Sequence, residues 1–243
     1  MNLFKWEMRQ MLRSKAFWFV GGAILFLMLI FHCEEFLDGG VSGFELFISL
    51  CNDFSSLSMF FVGIFAGLHV TGSLEERRMQ AAVMAGNSRG KVLLAKYTSF
   101  ITAITMFFAT SAVIPAAFGF VKFGTVCEDG TFLRSVVARA LLFLLAEIAS
   151  STICFIIAMI CKKPGITVIV NLVTLLTINI ALQYIAIGEW GMDVLKYIPH
   201  GQKAIIMSDM SNKNSVLALT VCTAFIALIF VGSYVKFRKA ELK

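Results

Sequence analysis

Six apolar runs, each close to the length of a bilayer crossing, most constrain what this chain can fold into. They occupy residues 16–33, 54–71, 97–121, 136–160, 165–187 and 215–235. A spanning helix needs about 20 mostly apolar residues, so the runs predict an all-α membrane protein with six transmembrane helices in one domain, residues 1–243. Composition points the same way. Soluble domains carry about a quarter charged residues, whereas this chain carries 15%, with 58% hydrophobic positions and 24 Phe. The third run contains Pro115, which a membrane helix tolerates where neighbouring groups satisfy the freed carbonyl.

Orientation is read from the distribution of Lys and Arg, which accumulate on the cytoplasmic side. Most of the 21 basic residues fall at the N-terminus, in 72–96, at Lys162 and Lys163, and in the tail after residue 235. The first outer connection instead holds Glu34, Glu35, Asp38, Glu45 and Asp53. Both termini are therefore expected in the cytoplasm of a multi-pass protein of the bacterial cytoplasmic membrane. The net charge of +6 follows from this topology and gives no reason to expect nucleic acid as a partner; the lipid bilayer is the expected one.

Residues 2–15 place Phe4, Met8, Met11 and Leu12 on one helical face, with Lys5, Arg9 and Arg13 elsewhere. That pattern predicts an amphipathic helix lying at the interface. The run behind it is longer than a signal core and ends in Phe31-His32-Cys33, no small-residue cleavage site, so it reads as a retained span. Six cysteines show no metal-ligand spacing. Cys33, Cys51 and Cys127 fall toward the outer side, where a disulfide is an open option, and no metal or catalytic residue is expected.

The stretch 72–96, GSLEERRMQAAVMAGNSRGKVLLAK, interrupts the apolar pattern with charge. Ser73 and Glu76 have capping-box spacing, and Gly86 suits a left-handed helix end. Residues 74–85 are thus expected to form one short helix, and Asn87 or Ser88 to cap the next. The plain reading is a solvated connection whose charges hold topology. The functional reading is a rigid helix pushed by a partner, with Leu74, Glu75, Glu76, Arg77, Arg78, Met79, Val83 and Gly86 as coupling residues and a mixed surface of Met79, Val83, Met84, Arg77 and Arg78.

An interfacial N-terminal helix, six spans and this segment together resemble the permease subunits of ABC type-2 exporters. Their segment between spans two and three follows a pattern like E-(x)n-G-x-[ST]-R-x-x-x-x-x-[AS]-K. Glu75, Glu76, Gly86, Ser88, Arg89, Ala95 and Lys96 fill it here, and the basic tail of residues 237–243 is also similar. The resemblance implies that 72–91 is the coupling segment docking into an ATP-binding subunit. It further implies two such subunits and a second permease, a copy or a sibling. The chain has no G-x-x-x-x-G-K-[ST] loop, so ATP and Mg are expected only on the partner subunit and no cofactor on this chain.

Ionisable groups inside a span are functional candidates by default. Glu147 lies mid-run and Arg139 eight residues earlier, well around the helix. Structurally, Arg139 would snorkel outward and Glu147 pair with a neighbouring span; functionally, Glu147 would line or gate a pathway. Asn171 and Asn179 give the fifth run a polar component suited to helix packing or to a translocation surface. Residues 188–214 are too apolar for a free outer loop and are expected to dip back as two half-length helices. Such re-entrant elements also occur in the exporter family.

An intramembrane enzyme is a weak rival, because His32, His69 and His200 are scattered with no H-E-x-x-H, and Glu75-Glu76-Arg77-Arg78 lacks the E-E-x-x-x-R spacing of CAAX-type proteases. A non-transporting scaffold or sensor remains the alternative, with a vitamin-binding subunit of an energy-coupling importer behind it. The expected function is a permease subunit of an ATP-driven exporter for an amphipathic peptide, drug or lipid-like substrate, including antimicrobial-peptide export or immunity.

Overall fold

Ser14 separates the first two helices. In the computed structural model, which describes residues 3–38, 42–124, 132–161, 163–187, 191–208 and 210–239, its hydroxyl accepts from the Phe17 amide at 3.3 Å. This side-chain cap ends α1 (Leu3–Arg13) and starts α2 (Lys15–Phe31) at an angle of 59°. α1 is amphipathic as read, with Met11 buried and Lys5, Arg9 and Arg13 exposed. α2 buries Phe17, Val20, Ile24 and Met28 along one stripe and exposes Trp18, Phe19 and Phe26. Such exposure is unremarkable where the surroundings are lipid tails as apolar as leucine.

α3 (Cys33–Asp38) leads to α4 (Gly43–Ala66), which opens on a complete capping box between Ser42 and Glu45. The second membrane element therefore begins well ahead of residue 54. Residues 43–53, expected in an outer loop, are helical because the cap starts the helix and Leu46, Phe47, Leu50 and Cys51 pack inward. α4 continues through a π turn (Gly67–Thr71) into α5 (Gly72–Glu75). After α6 (Arg78–Met84), α7 (Arg89–Phe108), a second π turn (Ala109–Val113) and α8 (Ile114–Phe123) form one 35-residue helix. This π turn stands just ahead of Pro115, where its wider bonding, Ile114 N–H to Ala109 C=O, relieves the clash a proline causes in a regular helix.

α9 (Phe132–Ile160), α10 (Pro164–Ile187), α11 (Gly191–Leu195), α12 (Pro199–Ser208) and α13 (Asn212–Lys239) complete the chain. All regular elements among the described residues are helical. Four helices are long and apolar enough to cross a membrane: Arg89–Phe123, Ser135–Ile160, Pro164–Ala181 and Asn212–Arg238. Two bent pairs, Leu3–Arg13 with Lys15–Phe31 and, broken within α4, Gly43–Ser58 with Phe60–Glu75, raise the number to six if each pair is one span. At 17 residues, α2 alone sits at the lower limit of a crossing.

α4 is the hub, packing on α2, α8, α9 and α10. Toward α10 it presents Gly63, Gly67 and Thr71, each four residues apart. A Cβ on Gly63 would come 3.1 Å from Asn171 Cβ, and one on Gly67 would come 2.7 Å from Val168 Cγ2. Small residues at this spacing let two membrane helices approach closely. On another side Phe65 stacks on His69 at 5.0 Å and meets Phe107 edge-on at 5.5 Å. Phe107 in turn stacks on Phe17 at 5.2 Å, tying α2, α4 and α7 into one aromatic core.

Candidate functional site

α12 carries buried polar side chains into the bundle. It packs on α9 and α13, and Gln202, Lys203, Ile205, Ile206 and Met207 are buried. Lys203, expected on the outer side, instead forms an ion pair with Glu147 near the middle of α9 and donates to Ser55 Oγ at 3.1 Å. Ser58 donates to the other carboxylate oxygen of Glu147. Lone buried charges are costly in any apolar medium, and a pair with additional hydrogen bonds is how they are retained. Pro199, His200, Ser151 and Cys154 border a cavity of about 50 Å³ beside the pair, water-sized by volume.

Arg139 makes no contact with Glu147. Its guanidinium donates to the carbonyls of Met207 at 2.6 Å and Ile206 at 3.3 Å, and lies 5.3 Å from the Phe44 ring. Cationic groups satisfy the orphan carbonyls at a helix C-terminus. Rather than snorkelling outward, Arg139 caps the end of α12. Arg139 and Glu147 of α9 thus hold the same short helix at two points along its length, Lys203 and the Ile206–Met207 carbonyls.

The segment 72–91 departs from the single helix expected over 74–85. Ser73 is buried and donates to His69 C=O at 2.6 Å, so it caps nothing. The helix arriving from α4 has not ended there, and a serine inside a helix bonds back to the carbonyl four residues earlier. The break comes at Glu76 and Arg77, and Arg77 takes a left-handed φ of 55° ahead of α6. At the other end Gly86, φ 91°, closes α6 as predicted. Gly86 N–H reaches Val83 C=O at 3.0 Å and Asn87 N–H reaches Ala82 C=O at 3.4 Å, the two bonds of a Schellman motif. Ser88 then caps α7, accepting from Lys91 N–H.

Leu74 and Val83 pack partly buried against the core. Met79, placed by sequence on the exposed face, is 1% exposed and anchors α6. The face left open is Glu75, Glu76, Arg77 and Met84, with Met84 79% exposed; Arg78 is half-buried and ion-paired to Glu76. A second buried pair lies nearby. Lys96 Nζ stands 3.1 Å from Glu7 Oε2, both side chains nearly inaccessible, joining α1 to α7. The sequence groups Lys96 with the basic residues of this end, and its burial follows from Glu7 lying on the packed face of α1.

Asn171 donates to Gly63 C=O at 3.1 Å and is buried, a helix-packing contact. Asn179 is half-buried further along α10. Asn171 does not join the Glu147 cluster. Among the described residues no group of His, Cys, Asp and Glu is arranged to hold a metal. Cys33 and Cys51 are free thiols, and Cys127 lies outside the described residues.

Lys203 and Glu7 are the residues that sequence reading missed. Glu7 sits three residues after Phe4 and four before Met11, on the apolar face of α1, and a lone carboxylate there calls for a buried cation. Compared with protein-family models and with curated proteins, the chain matches none.

Proposed function

We propose that this chain is the membrane-spanning permease subunit of an ATP-driven exporter of the ABC type-2 kind, with α6 as the element an ATPase engages. One observation carries the reading: α6 is a short helix fixed at both ends and from beneath, yet open on one face. Arg77 and Gly86 set its ends through left-handed backbone and Met79 anchors it, while Ala81 and Met84 of α6, and Glu75, Glu76 and Arg77 just ahead of it, are exposed. A rigid helix transmits a push, whereas a solvated loop absorbs it. ATP binding would draw two ATPases together and move α6 together with α7, and the spans would tilt to change which side of the pathway is open.

The apolar windows of α10 and α13 are 17% buried, against 44% for the other two long spans. That difference supports a second permease, copy or sibling, closing a pathway against these helices. The cavity beside Glu147 is too small for a peptide or lipid-like cargo, which favours a pathway formed between subunits. ATP and Mg belong to the partner in this reading, which also places α6 and both termini in the cytoplasm of a bacterial cell.

Mild-detergent isolation of the tagged full chain, with mass spectrometry of what accompanies it, tests the proposal. A stoichiometric soluble protein bearing a G-x-x-x-x-G-K-[ST] loop is expected, crosslinking to cysteines placed at Glu75 or Met84. Gly86→Pro should leave the chain inserted while abolishing partner-stimulated ATP hydrolysis. Absence of any ATPase even after crosslinking would move the chain to the scaffold or sensor reading.

A further inference from the structure

The bend between α1 and α2 opens a cleft of about 1030 Å³ whose other wall is the first π turn, α5, Glu76 and Arg78. Arg9, Arg13, Lys15 and Arg78 line it, and Glu76 is its one carboxylate. Glu76 is already paired with Arg78. No hydrogen bond or ion pair joins the side chains of Arg9, Arg13 or Lys15 to another described residue, and all three are exposed. The acid of α1, Glu7, cannot offset them because it points into the bundle at Lys96. Three cations therefore surround one cavity without a counter-charge.

The remaining wall is apolar. Trp6, Phe19 and Leu68 line the same cleft, with Phe19 68% and Leu68 45% exposed. Phe19 lies on α2, an apolar helix, while the cations sit on the amphipathic α1 and at the bend. Charge and exposed aromatic surface thus meet at one end of the bundle, the level at which phospholipid phosphates lie above their acyl chains.

We propose that this cleft binds an anionic phospholipid, its phosphate held by Arg9, Arg13 and Lys15 and the top of its acyl chains laid against Phe19 and Leu68. Guanidinium groups suit this role because their planar fork matches phosphate oxygens two at a time. An acidic protein segment would use the cations but leave the aromatic wall facing lipid. The bound lipid would brace α1 against the first π turn and α5 and hold the bend. The site depends only on the chain being membrane-embedded and not on its being an exporter.

The test uses the full chain in nanodiscs of phosphatidylcholine mixed with phosphatidylglycerol, read by native mass spectrometry of lipids retained after release. Wild type should retain phosphatidylglycerol over phosphatidylcholine by at least about fivefold, the worth of one cation near an anionic surface. The combined Arg9→Gln, Arg13→Gln and Lys15→Gln variant should lose that preference. A variant of equal charge loss off the cleft, Lys5→Gln, Lys91→Gln and Lys236→Gln, should keep it. Equal retention in the cleft variant, or equal loss in the off-cleft variant, overturns the site.

Should the cleft variant not fold, quenching decides on otherwise native protein. With Trp18 and Trp190 replaced by Phe, Trp6 emission should be quenched more by brominated phosphatidylglycerol than by brominated phosphatidylcholine. Equal quenching overturns the proposal. So does inorganic phosphate abolishing the preference at constant ionic strength, because the site would then take free phosphate. Crosslinking of the cleft to an acidic protein in place of lipid overturns it as well.

Discussion

Lys203 reaches Glu147 from a helix outside the six apolar runs, and the pair is almost inaccessible, with side-chain exposures of 4% and 2%. A charge donated by an intruding short helix holds that helix against α9. The same pair fixes which faces of α4, α9 and α12 meet, because Ser55 and Ser58 of α4 bond to its two members.

Removing one partner of this pair should cost far more than removing both. Lys203→Met leaves a buried carboxylate unpaired and is expected to lose about 3–5 kcal/mol. The double variant Glu147→Gln, Lys203→Met should recover most of it. Denaturant unfolding of the four proteins in one detergent supplies the cycle, and strictly additive losses would sink the idea.

Glu7→Gln should loosen α1 without unfolding the bundle. Lys96 would then be a buried cation facing a neutral amide, and the partner it loses is the only acidic group on α1. Hydrogen exchange should quicken at α1 amides, with those of α10 unchanged. Uniform acceleration along the chain would instead make the pair part of global stability.

Gly201 and Gly165 should respond oppositely to alanine. A Cβ on Gly201 would fall on the Leu195 carbonyl oxygen, backbone that cannot swing aside, whereas nothing lies within 4 Å of one on Gly165. Gly201→Ala is expected to destabilise by about 1–3 kcal/mol, the usual cost of overpacking. Gly165→Ala should be neutral or stabilising by up to about 1 kcal/mol, the helix preference of alanine over glycine. Thermal unfolding in detergent separates them.

Both ends of α6 depend on left-handed backbone, with different residues in place. Arg77→Gly should be tolerated, since glycine takes φ 55° without the cost of about 1–2 kcal/mol that a side chain meets there. Gly86→Val should displace the end of α6, because a β-branched residue resists φ 91°. Distances between spin labels on α6 and α7 would report it, and an unchanged spectrum for Gly86→Val would count against the fixed-helix view.

The features legible in one dimension were those decided between chain neighbours. The amphipathic α1, the apolar spans and the helix end at Gly86 depend on residues within a turn or two of each other, and periodicity and cap chemistry report them directly. Ser42 with Glu45 had the same capping-box spacing as Ser73 with Glu76. The first pair caps α4 and the second does not. At Ser73 the arriving helix persists because its last turn is held from across the bundle: Thr71 donates to Ala158 C=O at 2.9 Å and His69 bonds Ser99 at 3.2 Å. With those contacts made, the serine bonds back along its own helix instead of starting a new one.

Local chemistry thus sets where each apolar helix can form and which residues can end it. Partners of the buried charges lie beyond its reach. Glu147 with Lys203, Glu7 with Lys96 and Arg139 with the end of α12 are joined across the bundle. A buried ion must find its counter-charge on whichever element packs opposite, and that is a property of the assembled helices, not of the spacing along any one of them.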